Sequence, residues 1–165
     1  MISTQNEVGG GYIKSTVGLD MLVRDVMTKE VIAITKYESI MQVANILSEN
    51  NISGIPVVDK DNKVVGIITQ ADILSLLGVR REHTFKDLLK HMLGEPLPER
   101  RMGDHVGDIM TSPAITIKPD ANIAEAVRIL DERKIRRLTV VDEKNILLGI
   151  ITRADILKAV IRKLK

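Results

Sequence analysis

Two short segments carry the residue types from which chemistry could be built. Gly66, Thr69 and Asp72 stand in a Gly-x-x-Thr-x-x-Asp spacing, and Gly149, Thr152 and Asp155 repeat it. In both, Gly-Ile-Ile precedes the threonine and Ala-Asp-Ile-Leu closes the segment, so the triplet falls where a strand hands over to a helix. Two readings fit this pattern. A threonine followed three residues on by an acid is a helix N-cap with an acidic N3 residue, contributing about 1 kcal/mol. The same geometry presents free N–H groups and a hydroxyl to a phosphate, while a carboxylate can accept hydrogen bonds from both hydroxyls of a ribose.

Other chemistries find less support. The chain has no cysteine, which excludes disulfides, thiolate metal sites and cysteine nucleophiles together. His83, His91 and His105 lack metal-ligand spacing, and no Ser/His/Asp constellation is present, so a catalytic role is not expected. Gly9-Gly-Gly-Tyr-Ile-Lys14-Ser15-Thr16 superficially resembles a phosphate-binding loop, but Ile13 stands where the glycine before the lysine is required. A formal charge of +2 is too small for a dedicated polyanion binder. With two Tyr, one Phe and no Trp, base-stacking single-strand binders are disfavoured as well. The basic cluster Arg133, Lys134, Arg136 and Arg137 keeps nucleic acid as the alternative partner. No stretch reaches the roughly 18–20 apolar residues of a membrane span, and the polar start lacks signal-peptide features, so a cytoplasmic protein is expected.

The elements that must position the two Thr/Asp pairs occur twice. Asp25–Leu74 aligns on Asp108–Leu157 without a gap at an offset of 83, with 22 identities in 50 positions. Each copy reads strand, helix, strand, strand, helix. Val31–Ile34 and Ala114–Ile117 are the short first strands. Ser39 with Gln42 fits a capping box, and Asn122 with Glu125 a close variant of it. Ile40, Val43, Ala44 and Leu47, like Ile123, Ala126, Val127 and Leu130, give each following helix one apolar stripe. Ile55–Val58 and Val64–Thr69 flank a polar loop in which Asn62 suits a left-handed turn, and Leu138–Val141 and Leu147–Thr152 repeat the hairpin around Asn145. The strand runs are apolar nearly throughout, which predicts a sheet covered on both faces. Helices are expected from near Ala71 and Ala154, and Met27 and Met110 as packing residues. The basic stretch Lys158–Lys165 reads as a helix C-terminus.

This duplicated unit resembles a tandem pair of cystathionine-β-synthase (CBS) domains. The matching residues are Asp25-Val-Met-Thr28 and Asp108-Ile-Met-Thr111, the Pro56-Val-Val-Asp59 and Thr139-Val-Val-Asp142 strands, and both Gly-Ile-Ile-Thr-x-Ala-Asp-Ile-Leu segments. The resemblance implies an α/β (α+β) fold of two β-α-β-β-α repeats packed with pseudo-two-fold symmetry. It divides the chain into an N-terminal arm (1–20), repeat 1 (21–82), a linker with a short helix over Thr84–Leu93 (83–104) and repeat 2 (105–165). It further implies a stand-alone regulatory module that binds AMP, ADP, ATP or an S-adenosylmethionine-like ligand in the cleft between the repeats. The module would need no obligatory cofactor, form a homodimer and pass occupancy to a regulated protein that the sequence does not name.

By position, the resemblance implies that Thr69 and Thr152 touch phosphate or ribose and that Asp72 and Asp155 hold ribose hydroxyls. Val31, Ala114, Ile55, Pro56 and Leu138 would be aliphatic walls for the base. Arg136 and Arg137 precede the second strand of repeat 2, where repeat 1 has Ser53 and Gly54, and Arg153 replaces Gln70. Over the aligned windows repeat 1 carries a net charge of −3 and repeat 2 none. Phosphate is therefore expected to prefer repeat 2, with Arg136 and Arg137 reaching it.

Overall fold

The computed structural model describes residues 21–77, 92–94 and 105–165. The glycine-rich arm and nearly all of the linker, with His83 and His91, lie outside them. The chain divides into two units, residues 1–31 with 115–165 and residues 32–114. Neither unit is one contiguous repeat.

The unit of residues 32–114 contains the body of repeat 1. Ser39 caps helix α2 (Ile40–Glu49), its side chain accepting from the Gln42 amide while the Gln42 side chain accepts from the Ser39 amide, the reciprocal capping box expected. Val43 and Leu47 put the apolar stripe into the core. Strands β1 (Gly54–Val58) and β2 (Val64–Thr69) pair antiparallel around Asn62, whose φ of 62° is the left-handed turn conformation. The Asp59 side chain holds that turn by accepting from the amides of Asp61 and Lys63. Helix α3 (Gln70–Leu77) leaves directly from the end of β2. β1 is buried almost throughout, whereas β2 alternates buried and half-buried residues, so the expectation of two fully covered faces holds for the first strand of the hairpin only. The predicted Val31–Ile34 strand is reduced to one parallel bridge from Ile34 to Val57.

The other unit repeats this plan around repeat 2. Strand β3 (Thr116–Ile117) pairs parallel with β4 (Arg137–Val141), which pairs antiparallel with β5 (Leu147–Thr152). Asn145, with φ 66°, makes the turn. Helices α5 (Ile123–Arg133) and α6 (Arg153–Leu164) complete it. Asn122 caps α5 by accepting from the Ala124 amide, and Glu125 does not return the contact, so the capping box of repeat 1 becomes a simple cap. Ile123, Ala126 and Leu130 are buried, but Val127, expected on the same stripe, is half exposed.

The leading segments are exchanged. Residues 21–31, with helix α1 (Val23–Val26), pack on the body of repeat 2, and the segment carrying helix α4 (Val106–Ile109) packs on the body of repeat 1. Val23 and Val106 are both fully buried, each in the core of the opposite repeat's body. The docking is backbone to backbone. The Thr28 amide donates to the Ile150 carbonyl (2.8 Å), and the Ile150 amide donates back to the Thr28 carbonyl (3.0 Å). Thr111 and Ile67 make the same reciprocal pair of hydrogen bonds at 2.8 and 2.9 Å. Glycine permits this approach: a Cβ at Gly66 would fall 2.8 Å from the Thr111 carbonyl, and one at Gly149 would fall 2.5 Å from that of Thr28. Met27 and Met110 pack beside these glycines, as expected of them. No helix among the described residues is long and apolar enough to cross a membrane.

Candidate functional site

Both Thr/Asp pairs lie at strand-to-helix junctions, where the first amides of a helix have no partner within it. At the first, the Thr69 amide and hydroxyl both donate to Asp72 Oδ2, at 2.8 and 3.1 Å, and the Asp72 amide donates back to Thr69 Oγ1 at 3.2 Å. At the second, the Thr152 amide donates to Asp155 Oδ2 and the Asp155 amide to Thr152 Oγ1, both at 3.0 Å. The capping reading of the sequence is therefore correct at both places, and it leaves carboxylate lone pairs over. The two junctions differ in their hydroxyls. Thr69 spends its proton on Asp72, whereas that of Thr152 has no acceptor among the described residues.

Strand register decides which wall residues share a face with these pairs. Gly54 lies opposite Thr69 and Pro56 opposite Ile67, so Pro56 is on the face of Thr69. Ile55, opposite Ile68, points to the other face and is fully buried in the cluster with Val43, Leu47 and Val57. Leu138 is likewise fully buried with Ile151, Val140 and Leu130, on the face away from Thr152. A one-residue step along a strand reverses the side chain, so Ile55 and Leu138 serve the core and present no side-chain surface as walls. The residue on the Thr152 face is Thr139, the counterpart of Pro56, which the sequence reading passed over. It is 1% exposed, and its Oγ1 has no hydrogen-bond partner among the described residues.

Arg137 stands directly across the ladder from Thr152, and Arg136 beside it is exposed. Arg153 is positioned otherwise. Its guanidinium donates to the carbonyls of Ile135 and Leu130, both at 3.3 Å, and so closes the end of α5 rather than adding a free charge to the junction. The exchange also redistributes the first-strand walls. Ala114 belongs to the unit with Thr69 and Asp72, and Val31 to the unit with Thr152 and Asp155. Both are half-buried and retain accessible surface.

A further residue joins the first junction from far along the chain. The Thr111 hydroxyl donates to Asp72 Oδ1 at 3.4 Å. The repeated Met-Thr of the two leading segments was the signal available in the sequence, but nothing in it says which body each segment docks on. Among the described residues no group of three or more His, Cys, Asp or Glu side chains could hold a metal ion.

Comparison with known proteins places this architecture. The CBS domain family model matches residues 23–79 and again 106–162. The chain is 37% identical over 159 residues to the uncharacterized protein MJ1404 of Methanocaldococcus jannaschii, covering 95% of this chain and 36% of that protein. It therefore spans about a third of that relative's length. Among solved structures it is similar to CBSX2 in complex with AMP, with TM-score 0.72 and 29% identity over 87% of this chain and 98% of that one. It is also similar to the CBS domain pair of protein MJ0100 in complex with 5'-methylthioadenosine and S-adenosyl-L-methionine, with TM-score 0.69, 29% identity and the same coverage. The chain thus belongs to the CBS domain family and carries two copies of the domain, each body completed by the leading segment of the other.

Proposed function

We propose that this chain is a non-catalytic regulatory module that binds an adenosine ligand at its Thr/Asp junctions and passes occupancy to a partner. The observation that carries this reading is the pair of equivalent junctions in which a helix N-terminus, a threonine hydroxyl and a carboxylate with spare lone pairs converge. CBSX2 with AMP and the MJ0100 pair with 5'-methylthioadenosine and S-adenosyl-L-methionine are relatives of the same fold, and they support an adenosine moiety as the shared part of the ligand. Asp72 and Asp155 take the ribose, Thr69 and Thr152 the ribose or phosphate, and the half-buried Val31 and Ala114 supply aliphatic surface, with Pro56 buried on the face of Thr69. The second junction suits phosphate better, since Thr152 keeps its hydroxyl proton and Arg137 stands beside it.

Regulation requires that the ligand bind two states of the protein unequally. The outer helices offer the surface through which a second copy is engaged. Leu157 and Ile161 on α6 and Leu74 and Met41 on α3 and α2 are exposed apolar residues at the helix pairs. A two-fold assembly is the simplest way to cover such faces. A thermal-shift screen of AMP, ADP, ATP, NADH, S-adenosylmethionine and methylthioadenosine tests the ligand class, because binding to the native state raises its apparent stability. A rise with at least one is expected, and none with any would end the reading. Light scattering tests the homodimer.

A further inference from the structure

We propose that the Thr111 hydroxyl is an internal stand-in for a ligand hydroxyl at Asp72, which makes the Asp72 junction the weaker of the two for a ribose diol. The inference rests on the reading of Asp72 and Asp155 as ribose acceptors and adds a difference between them.

An ionised carboxylate offers about four acceptor positions. Asp72 gives two of them to the amide and hydroxyl of Thr69 on Oδ2 and a third to Thr111 on Oδ1. About one remains, whereas a ribose diol asks for two. Asp155 accepts from the Thr152 amide alone among the described residues, which leaves about three. The counterpart of Thr111 is Thr28, and its hydroxyl makes no bond to Asp155 among the described residues although its backbone is docked in the same way.

Thr111 is delivered by rigid backbone. The segment is pinned to Ile67 through both amides, on a floor cleared by Gly66. The pairing fixes where the Thr111 Cβ stands, and rotation about its χ1 alone takes the hydroxyl off Asp72. At 3.4 Å the bond is longer than the ~2.7–2.8 Å of a relaxed O–H···O contact, so it is a weak competitor that a ligand displaces. Binding at Asp72 must therefore release or reorient a side chain that belongs to repeat 2.

Amide-resolved NMR titration of the full chain with adenosine tests this, because adenosine carries the diol and no phosphate for the arginines to hold. In the wild type the amides of Thr152 and Asp155 are expected to titrate at a lower concentration than those of Thr69 and Asp72. Thr111→Val should tighten binding at Asp72 by about threefold, the scale of one weak hydrogen bond, and leave Asp155 unchanged. Thr111→Ser, which keeps the hydroxyl, should behave as wild type. Unchanged or weaker binding at Asp72 in Thr111→Val overturns the proposal while the ribose reading stands. If adenosine moves neither pair of amides in the wild type, the ribose reading fails and takes the proposal with it.

Discussion

Arg137 faces Thr152 across the β4–β5 ladder, where at the equivalent place of the other hairpin Gly54 faces Thr69. Residues paired in this way on an antiparallel ladder bring their Cβ atoms to about 4.5–5.5 Å and send both side chains from one face. The Arg137 side chain and the uncommitted Thr152 hydroxyl therefore leave the ladder on one face at the start of α6. At the other junction, among the described residues, Gly54 stands in the place of the arginine and the Thr69 hydroxyl is spent on Asp72. Arg137→Ala is expected to weaken AMP binding at the Thr152/Asp155 junction by about three- to tenfold at low salt, with a loss that shrinks as salt rises. Calorimetry at two ionic strengths checks this, and an unchanged affinity would remove Arg137 from the site.

Val106 contributes to a core from which its own repeat's body is absent. A fragment of residues 32–114 holds Val106, Met110 and the Thr111–Ile67 pairing, whereas a fragment of residues 21–82 lacks all three. The first is expected to unfold cooperatively in urea and the second to show no cooperative transition. Circular dichroism of the two fragments decides, and equal cooperativity would mean that the leading segment adds little to the body it docks on.

That exchange also marks where the sequence stops being legible. The offset of 83 residues exposed the duplication, the hairpins and the Ser39/Gln42 box, because each rests on local spacing. Asp25-Val-Met-Thr28 and Asp108-Ile-Met-Thr111 are nearly the same string, so either fits either body, and only the chain's path between Val31 and Ile32 or Ala114 and Ile115 decides. The side of the sheet was hidden for a related reason. Ile55-Pro56-Val57-Val58 is apolar at every position, so no alternation tells that Ile55 enters the core while Pro56 shares the face of Thr69. Arg153 was readable as a charge but not as a cap, since its acceptors Leu130 and Ile135 lie 23 and 18 residues away.

Gly149 and Gly66 hold the exchanged segments close, and the two positions are unequally tight. A methyl group at Gly149 would stand 2.5 Å from the Thr28 carbonyl, and one at Gly66 2.8 Å from that of Thr111. Each neighbour is backbone already fixed by a reciprocal pair of hydrogen bonds, so neither can yield without loosening the docked segment. Both Gly→Ala substitutions are expected to destabilise by ~1–3 kcal/mol, Gly149→Ala more than Gly66→Ala. Urea denaturation of the two variants gives the order, and a reversed order would show that the Thr28 segment is the more yielding of the two.

Thr139 is the one position where the duplicated strand substitutes a hydroxyl for a proline ring. Its Oγ1 is buried and has no hydrogen-bond partner among the described residues, while Leu138 and Val140 on either side are fully enclosed in the apolar cluster. A hydroxyl taken from water without a new partner costs about 1–3 kcal/mol, and a methyl group of the same shape avoids that cost. Thr139→Val should therefore stabilise the chain by ~1 kcal/mol, raising the melting temperature by about 2–4 °C for a protein of this size. A calorimetric scan of the two proteins settles the sign. A lowered melting temperature would mean that the hydroxyl is satisfied in solution, on the face it shares with Thr152.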